Sequence, residues 1–234
     1  MNSYDVKFYD EQRAGSLKSA KEIIPFLEKL LHPKSVIDVG CGIGAWLSVW
    51  ERLGKRVQGI EGKWIDAVKT EIKKDKIKVY DLNLVNRIEY SDRADLVQCL
   101  EVAEHLHPSQ SKNLVKFLTS LSNVVFFSAA IPFQGGVDHI NERNQSYWEQ
   151  LFADSNFEKI DCIRSVFWDN TRVEWWYAQN AFLYVNKKDA RIKHFRKLIT
   201  NSITDMYHPS CLMSQGKILK LNVIFQKLKS RLFM

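Results

Sequence analysis

Residues 36–46 read Val-Ile-Asp-Val-Gly-Cys-Gly-Ile-Gly-Ala-Trp. The first four make a short strand with the apolar character of a buried one. Three glycines at alternate positions then turn the chain into a helix predicted over about 44–53, stopped by Gly54. A backbone without Cβ atoms admits a ligand to close range. The free N–H groups of the helix start favour an anionic or polar group on that ligand. The stretch therefore predicts a strand–loop–helix unit built around a bound molecule.

Outward from this unit, the pattern alternates. Residues 16–31 place apolar side chains at 23, 24, 27, 30 and 31, a helical period, with Pro25 predicting a kink or a later helix start. Downstream, strands are predicted over 56–60, 77–80, 95–100, 124–130, 157–166 and 181–185. Helices are predicted over 64–72, from 108 or 109 through 121 with Ser109 as N-cap, and over 145–153. Strands separated by helical stretches argue βαβ units and a mostly parallel α/β sheet.

The 234 residues suit one α/β domain with some elaboration, and a hydrophobic content of 45% allows a sizeable core. No apolar run of about 18 residues predicts a spanning helix. The opening MNSYDVKFYDEQR has no apolar core of a secretory leader. The four cysteines, at 41, 99, 162 and 211, form no C-x-x-C pair and suit buried thiols in a reducing cytoplasm. The net charge of +7 is uneven. Residues 187–234 hold eleven Lys/Arg against two Asp/Glu, a net of +9, which leaves −2 for residues 1–186. A ligand-binding domain over 1–186 and a basic tail over 187–234 are expected, and no DNA partner is implied.

Two ligand patterns fit the glycine loop. Gly40-x-Gly42-x-x-Ala45 matches a dinucleotide fingerprint. Asp38-x-Gly40-x-Gly42-x-Gly44 matches a loop for S-adenosyl-L-methionine. Asp38 favours the second, because a carboxylate there suits a cationic amino group and repels a pyrophosphate. Glu61 follows about 20 residues past the loop, where a carboxylate can accept ribose hydroxyls. Asp81 and Leu82 follow the third predicted strand, placed for the adenine amino group and ring.

With IDVGCGIGAW, the acidic residue of QGIEG, the YDL segment and ADLVQCLEVAEHL in this order, the sequence resembles the class I S-adenosylmethionine-dependent methyltransferases. The resemblance covers about residues 20–186. It implies a Rossmann-like sheet of seven strands, mostly parallel, with an antiparallel last strand at 181–185. It also implies that Asp38, Gly40, Cys41, Gly42, Gly44, Trp46, Glu61, Gly62, Asp81, Leu82 and Glu101 line the donor. CLEVAEHLH (99–107) then stands at the end of the fourth strand, beside the transferable methyl group.

A hydroxyl acceptor is a poor nucleophile until its proton is taken. His105 could be a general base oriented by Glu104 or Glu101, a contribution of roughly 10²–10⁴-fold. Glu101, Glu104 and His105 could instead hold Mg²⁺ or Mn²⁺. Alignment of donor and acceptor alone is a third route. E-x-x-E-H at this place is similar to the metal motif of small-RNA 2′-O-methyltransferases and to the matching segment of ubiquinone-biosynthesis O-methyltransferases. In the RNA enzymes a further His completes the site. Here GGVDHINERNQSYW (135–148) offers His139 as a fourth ligand, although the spacing to the aromatic is longer and their flanking domains are missing.

His139, Asn141, Arg143, Trp175 and Trp176 are candidates for the acceptor, since aromatic plates with polar groups between them suit a sugar. GGVDHINE, SYW and WWYAQNAFLYV are together similar to a bacterial methyltransferase group associated with glycan and surface-polysaccharide synthesis. In residues 216–234, Ile218, Leu221, Phe225, Leu228 and Leu232 recur at helical spacing among lysines. This basic amphipathic helix could dock on the domain, on another subunit or on the inner face of a membrane. The expected function is O-methylation of a sugar, glycan or small metabolite in the cytoplasm. The alternatives are an RNA 2′-O-methyltransferase, or a non-catalytic cofactor-binding member of a glycan-assembly complex.

Overall fold

A computed structural model of the chain describes residues 6–199 and 203–214, with side chains over 14–199 and 203–213. Seven strands form one sheet: β1 (Ser35–Val39), β2 (Arg56–Glu61), β3 (Ile77–Val79), β4 (Leu96–Leu100), β5 (Val124–Ser128), β6 (Phe157–Ile160) and β7 (Phe182–Asn186). Their order is β3-β2-β1-β4-β5-β7-β6. The first five pair in parallel, while β7 lies antiparallel to both β5 and β6. Every residue of β1, β4 and β5 is buried, as a parallel sheet covered on both faces requires. The strand order reverses between β1 and β4. At such a switch point the loops leaving two adjacent strands diverge and open a crevice.

Helices cover both faces. On one, α1 (Val6–Leu31) and α2 (Ala45–Arg52) pack with Ile23, Ile24, Leu27, Leu47 and Trp50 against Val36, Leu96 and Phe126. On the other, α3 (Ser111–Leu121) and α4 (Gln145–Asp154) bring Leu114, Leu118, Trp148 and Phe152 against Val97, Val125 and Tyr184. Pro25 does not delay α1, which runs unbroken through it. The shorter helices are α5 (Arg164–Phe167), α6 (Trp175–Asn180), α7 (Ile192–Arg196) and α8 (Pro209–Ser214).

Three sequence expectations are corrected. Residues 64–72 are not a helix: a 3-10 turn at Lys63–Ala67 ends at Val68, whose backbone is extended, and Glu71 N–H donates to Ile43 O at 2.8 Å, clamping the segment to the glycine loop. The strand over 157–166 stops at Ile160, and the chain turns into α5 where Arg164 pairs with Asp161. His107, not Ser109, caps the turn before α3, its ring accepting from Ser109 N–H.

The folded body continues past residue 186, with Ile192, Phe195 and Cys211 buried in it. All four cysteines are buried free thiols. Among the described residues no helix is long and apolar enough to cross a membrane. The amphipathic pattern at 216–234 lies outside the described residues.

Candidate functional site

The glycine loop leaves β1 with Gly40, Gly42 and Gly44 all at positive φ, and Gly44 caps α2. At Gly40 a Cβ would stand 2.3 Å from Val102 Cγ2, so the loop after β4 packs directly on the glycine loop. Asp38 is 3% exposed and accepts from Gln98 Nε2 at 2.7 Å, while Gln98 Oε1 accepts from Trp50 Nε1 at 3.0 Å. Burial pushes the Asp38 carboxyl up to about 7, with Glu61 adding repulsion and the Gln98 bond opposing both. Glu61 is also raised by burial. Its oxygens accept from Gly42 N–H and Gly62 N–H, both at 2.7 Å, and from Trp64 Nε1 at 3.1 Å. Asp81 caps a 3-10 turn by accepting from Asn83 N–H at 2.9 Å, and Leu82 beside it is buried.

Trp46 is placed differently from the expectation that it meets a ligand. It turns into the core, edge-on to Phe126 and Tyr177. Cys41 is buried too, its sulfur filling the space beside Gly59, and burial raises its thiol pKa well above the ordinary range.

Beyond β4 the chain strains at once: Glu101 has φ +55, an uncommon conformation for a residue with a side chain. Its carboxylate accepts from Gln134 Nε2 at 2.7 Å and Asn180 Nδ2 at 3.4 Å. Burial raises it to about 7 against those bonds. Glu104, in a 3-10 turn over Ala103–His105, is fully buried, and neither of its carboxyl oxygens has a hydrogen bond of normal geometry. Burial first, and the neighbouring Glu101 charge second, push it well above the usual range. His105 has an unpartnered Nδ1 and a pKa lowered by burial and by His139.

His139 crosses His105 edge-on with ring centroids 4.8 Å apart. One ligand atom from each of Glu104, His105 and His139 lies within 4.8 Å of the others. A buried carboxyl with two unsatisfied oxygens beside two imidazoles fits the donor set of a divalent cation. Glu101 stands adjacent but spends its oxygens on Gln134 and Asn180. Glu142 shapes the loop that carries His139: its carboxylate accepts from Phe133 N–H at 2.9 Å and Gly135 N–H at 2.8 Å, and contacts His139 Nδ1 at 3.1 Å.

The acceptor candidates separate. Asn141 is 2% exposed. Its Nδ2 donates to Ala103 O and Ser111 Oγ, and its Oδ1 accepts from Arg143 Nε, so it pins the loop to α3 rather than facing outward. The Arg143 guanidinium lies over the Tyr147 ring. Trp176 packs partly against the core, while Trp175 stacks near His208. Sequence reasoning passed over Gln98, Gln179 and Asn180. A glutamine in the middle of the apolar strand LVQCL was the available signal, since a buried amide there needs partners.

The family model of the methyltransferase domain matches residues 9–162. Comparison with curated proteins finds no match. Among solved structures, the chain is similar to magnesium protoporphyrin IX methyltransferase from Synechocystis PCC 6803 with bound S-adenosylhomocysteine (TM-score 0.54, 15% identity, 80% of this chain and 90% of that one). It is also similar to CalS10, an amino pentose methyltransferase from Micromonospora echinaspora (TM-score 0.56, 13% identity, 80% and 99%). DesVI of Streptomyces venezuelae is a third (TM-score 0.54, 13% identity, 78% and 100%). At these identities the likeness is one of fold.

Proposed function

Because the chain belongs to the methyltransferase-domain family, we propose that it transfers a methyl group from S-adenosyl-L-methionine to a hydroxyl of a sugar, glycan or small metabolite, with a divalent cation such as Mg²⁺ or Mn²⁺ held by Glu104, His105 and His139. The observation that carries the reading is the fully buried Glu104 carboxyl, whose oxygens make no hydrogen bond of normal geometry, set against His105 and His139 at the switch-point side of the sheet.

The donor side follows from the loop. Gly40, Gly42 and Gly44 bring backbone close to the ligand, Asp38 faces its amino group and Glu61 its ribose. For Glu61 to do so, it exchanges bonds to Gly42 and Gly62 N–H for hydroxyls. An ammonium beside Asp38 favours the ionised carboxylate that burial disfavours, so donor and carboxylate stabilise each other. Such a donor supplies a sulfonium methyl: a C–O bond forms to the acceptor as the C–S bond breaks, and the hydroxyl proton must leave. Without a cation, His105 is the group for that proton, because its Nδ1 has no hydrogen-bond partner. A cation at Glu104, His105 and His139 would lower the hydroxyl pKa.

A sugar-like acceptor is supported by the half-buried Trp168 and Trp175 near His208, by Trp176 edge-on to Trp175, and by the exposed Phe133. The named activity of the amino pentose methyltransferase is consistent with this class. The metal-free alternative, with His105 as base, rests on its lowered pKa. The test is an acceptor screen for S-adenosylhomocysteine release with and without EDTA, Mg²⁺ and Mn²⁺. Activity that survives exhaustive chelation but is abolished in His105→Ala selects the base. Activity on RNA with a steep fall in salt selects the nucleic-acid alternative. Tight donor binding with no turnover on any hydroxyl selects the non-catalytic one.

A further inference from the structure

Residues 203–211 cross the outside of α4, α5 and α6 as a strap. Its backbone is held at successive points: Arg164 Nη1 donates to Thr204 O at 2.7 Å, Gln145 Nε2 to Met206 O at 2.9 Å, and Asp205 accepts from Ser146 N–H and Oγ. The strap lies beyond the residues matched by the family model. It also reaches a buried amide: His208 N–H donates to Gln179 Oε1 at 2.7 Å.

From Gln179 a chain of buried amides runs to Glu101. Gln179 Nε2 donates to Asn180 Oδ1 at 2.9 Å and Gln134 Oε1 at 3.4 Å, and Asn180 Nδ2 donates to Gln134 Oε1 at 2.8 Å. Asn180 Nδ2 and Gln134 Nε2 then both reach the Glu101 carboxylate. Gln179 and Asn180 are 0% and 1% exposed, so water does not compete for these bonds. The direction is fixed at both ends. At the strap a backbone N–H can only donate, and at the other end two amide NH₂ groups, those of Gln134 and Asn180, sit on the two Glu101 oxygens. Every amide between them must point its oxygen toward the strap and its NH₂ toward Glu101. Reversing one would set donor against donor or oxygen against oxygen in a buried network, where each unsatisfied group is costly.

We propose that Gln179 is a positioning residue, and that through it the C-terminal strap sets the orientation of the Glu101 carboxylate at the reaction centre. The consequence for catalysis rests on the proposed placement of the transferred methyl beside Glu101; the coupling of strap to carboxylate does not.

The experiment uses the full chain and two readouts. Hydrogen–deuterium exchange is measured over 203–211 in wild type, Gln179→Met, Glu101→Gln and His208→Ala. Breaking the relay at either end should speed exchange in the strap at least tenfold, including in Glu101→Gln, whose substitution touches no strap residue. His208→Ala keeps the N–H and should leave Gln179 satisfied, with strap exchange closer to wild type than in Gln179→Met. With an active acceptor, Gln179→Met should lower kcat 10–100-fold while KM for S-adenosylmethionine stays within threefold. If Glu101→Gln leaves strap exchange at the wild-type rate, or Gln179→Met keeps wild-type kcat, the proposal is overturned. Should Gln179→Met not fold, the isosteric Glu101→Gln decides. A wild type with no hydroxyl activity defeats the proposed function, and the exchange result still stands or falls alone.

Discussion

Asp38 and Glu104 are both buried carboxyls raised in pKa, and their surroundings predict different responses to neutralisation. Asp38 has one hydrogen-bond donor, Gln98 Nε2, which an asparagine Oδ1 accepts equally well. Its folded pKa of about 7 lies above the reference value of 3.8. As pH rises from about 4 to 7 the unfolded chain gives up this proton first, so the group's contribution to stability falls across that window. Asp38→Asn removes the slope. We expect the ligand-free variant to be more stable than wild type at pH 8 by roughly 1–3 kcal/mol, with the gap closing toward pH 4. S-adenosylmethionine affinity should fall at least tenfold. Thermal melts across pH with calorimetric titration of the donor check both, and a variant no more stable at pH 8 would refute the burial argument. For Glu104→Gln, melting with and without Mn²⁺ is the measurement. Wild type should be stabilised by saturating cation, by about 2.7 kcal/mol at a hundredfold excess over Kd, and EDTA should reverse it. Glu104→Gln should not respond, and a wild type equally indifferent would remove the cation from the site.

At the scale of elements, the glycine loop and the loop after β4 act as one unit, because Gly40 has no room for a side chain beside Val102. Gly42 differs: its φ is +52, yet a Cβ there would meet nothing within 4 Å. Gly42→Ala should therefore cost only the left-handed backbone term, about 1–2 kcal/mol. Gly40→Ala adds an overpacking cost of about 1–3 kcal/mol. Donor affinity should fall in both, out of proportion to stability in Gly42→Ala, where the new methyl would occupy open space at the proposed donor loop. Equal losses of stability would contradict the contact with Val102. The same unit explains how far the sequence could be read. β1, the glycine turn and α2 are local features, written in periodicity and glycine positions. Residues 64–72 misled because Ile65, Val68 and Ile72 have a helix-like spacing. In the fold, Ile72 instead packs on Gly44, and Glu71 N–H reaches Ile43 O. Glu104, His105 and His139 were legible as residues, but their convergence depends on a loop held by Glu142 and Asn141. The strap was not legible, since backbone groups make many of its contacts and leave no side-chain pattern.

Over the whole molecule, charge is segregated. Residues 215–234 carry five Lys/Arg and no acidic residue, so a chain ending at Ser214 would keep +2 of the +7. The strap, whose last residue Cys211 is itself buried, already packs on the described body at its C-terminal side. Removal of 215–234 leaves these contacts in place, so a melting temperature and donor affinity that stay unchanged in the shortened chain would separate the segment from the body, and a fall in either would dock it there. If the segment serves as a surface anchor, its five cations and its apolar residues at helical spacing should bind vesicles containing anionic lipid and neglect neutral ones. Each basic residue near such a surface contributes about 1 kcal/mol, within a screening distance of about 10 Å at 0.1 M salt. Cosedimentation should thus weaken sharply as salt is raised, and vanish for the chain ending at Ser214. A shortened chain that loses its oligomeric state in sedimentation, with vesicle binding absent in both forms, would assign the segment to subunit contact instead. Binding that ignores lipid charge would defeat the electrostatic argument, leaving the apolar stripe alone to account for it.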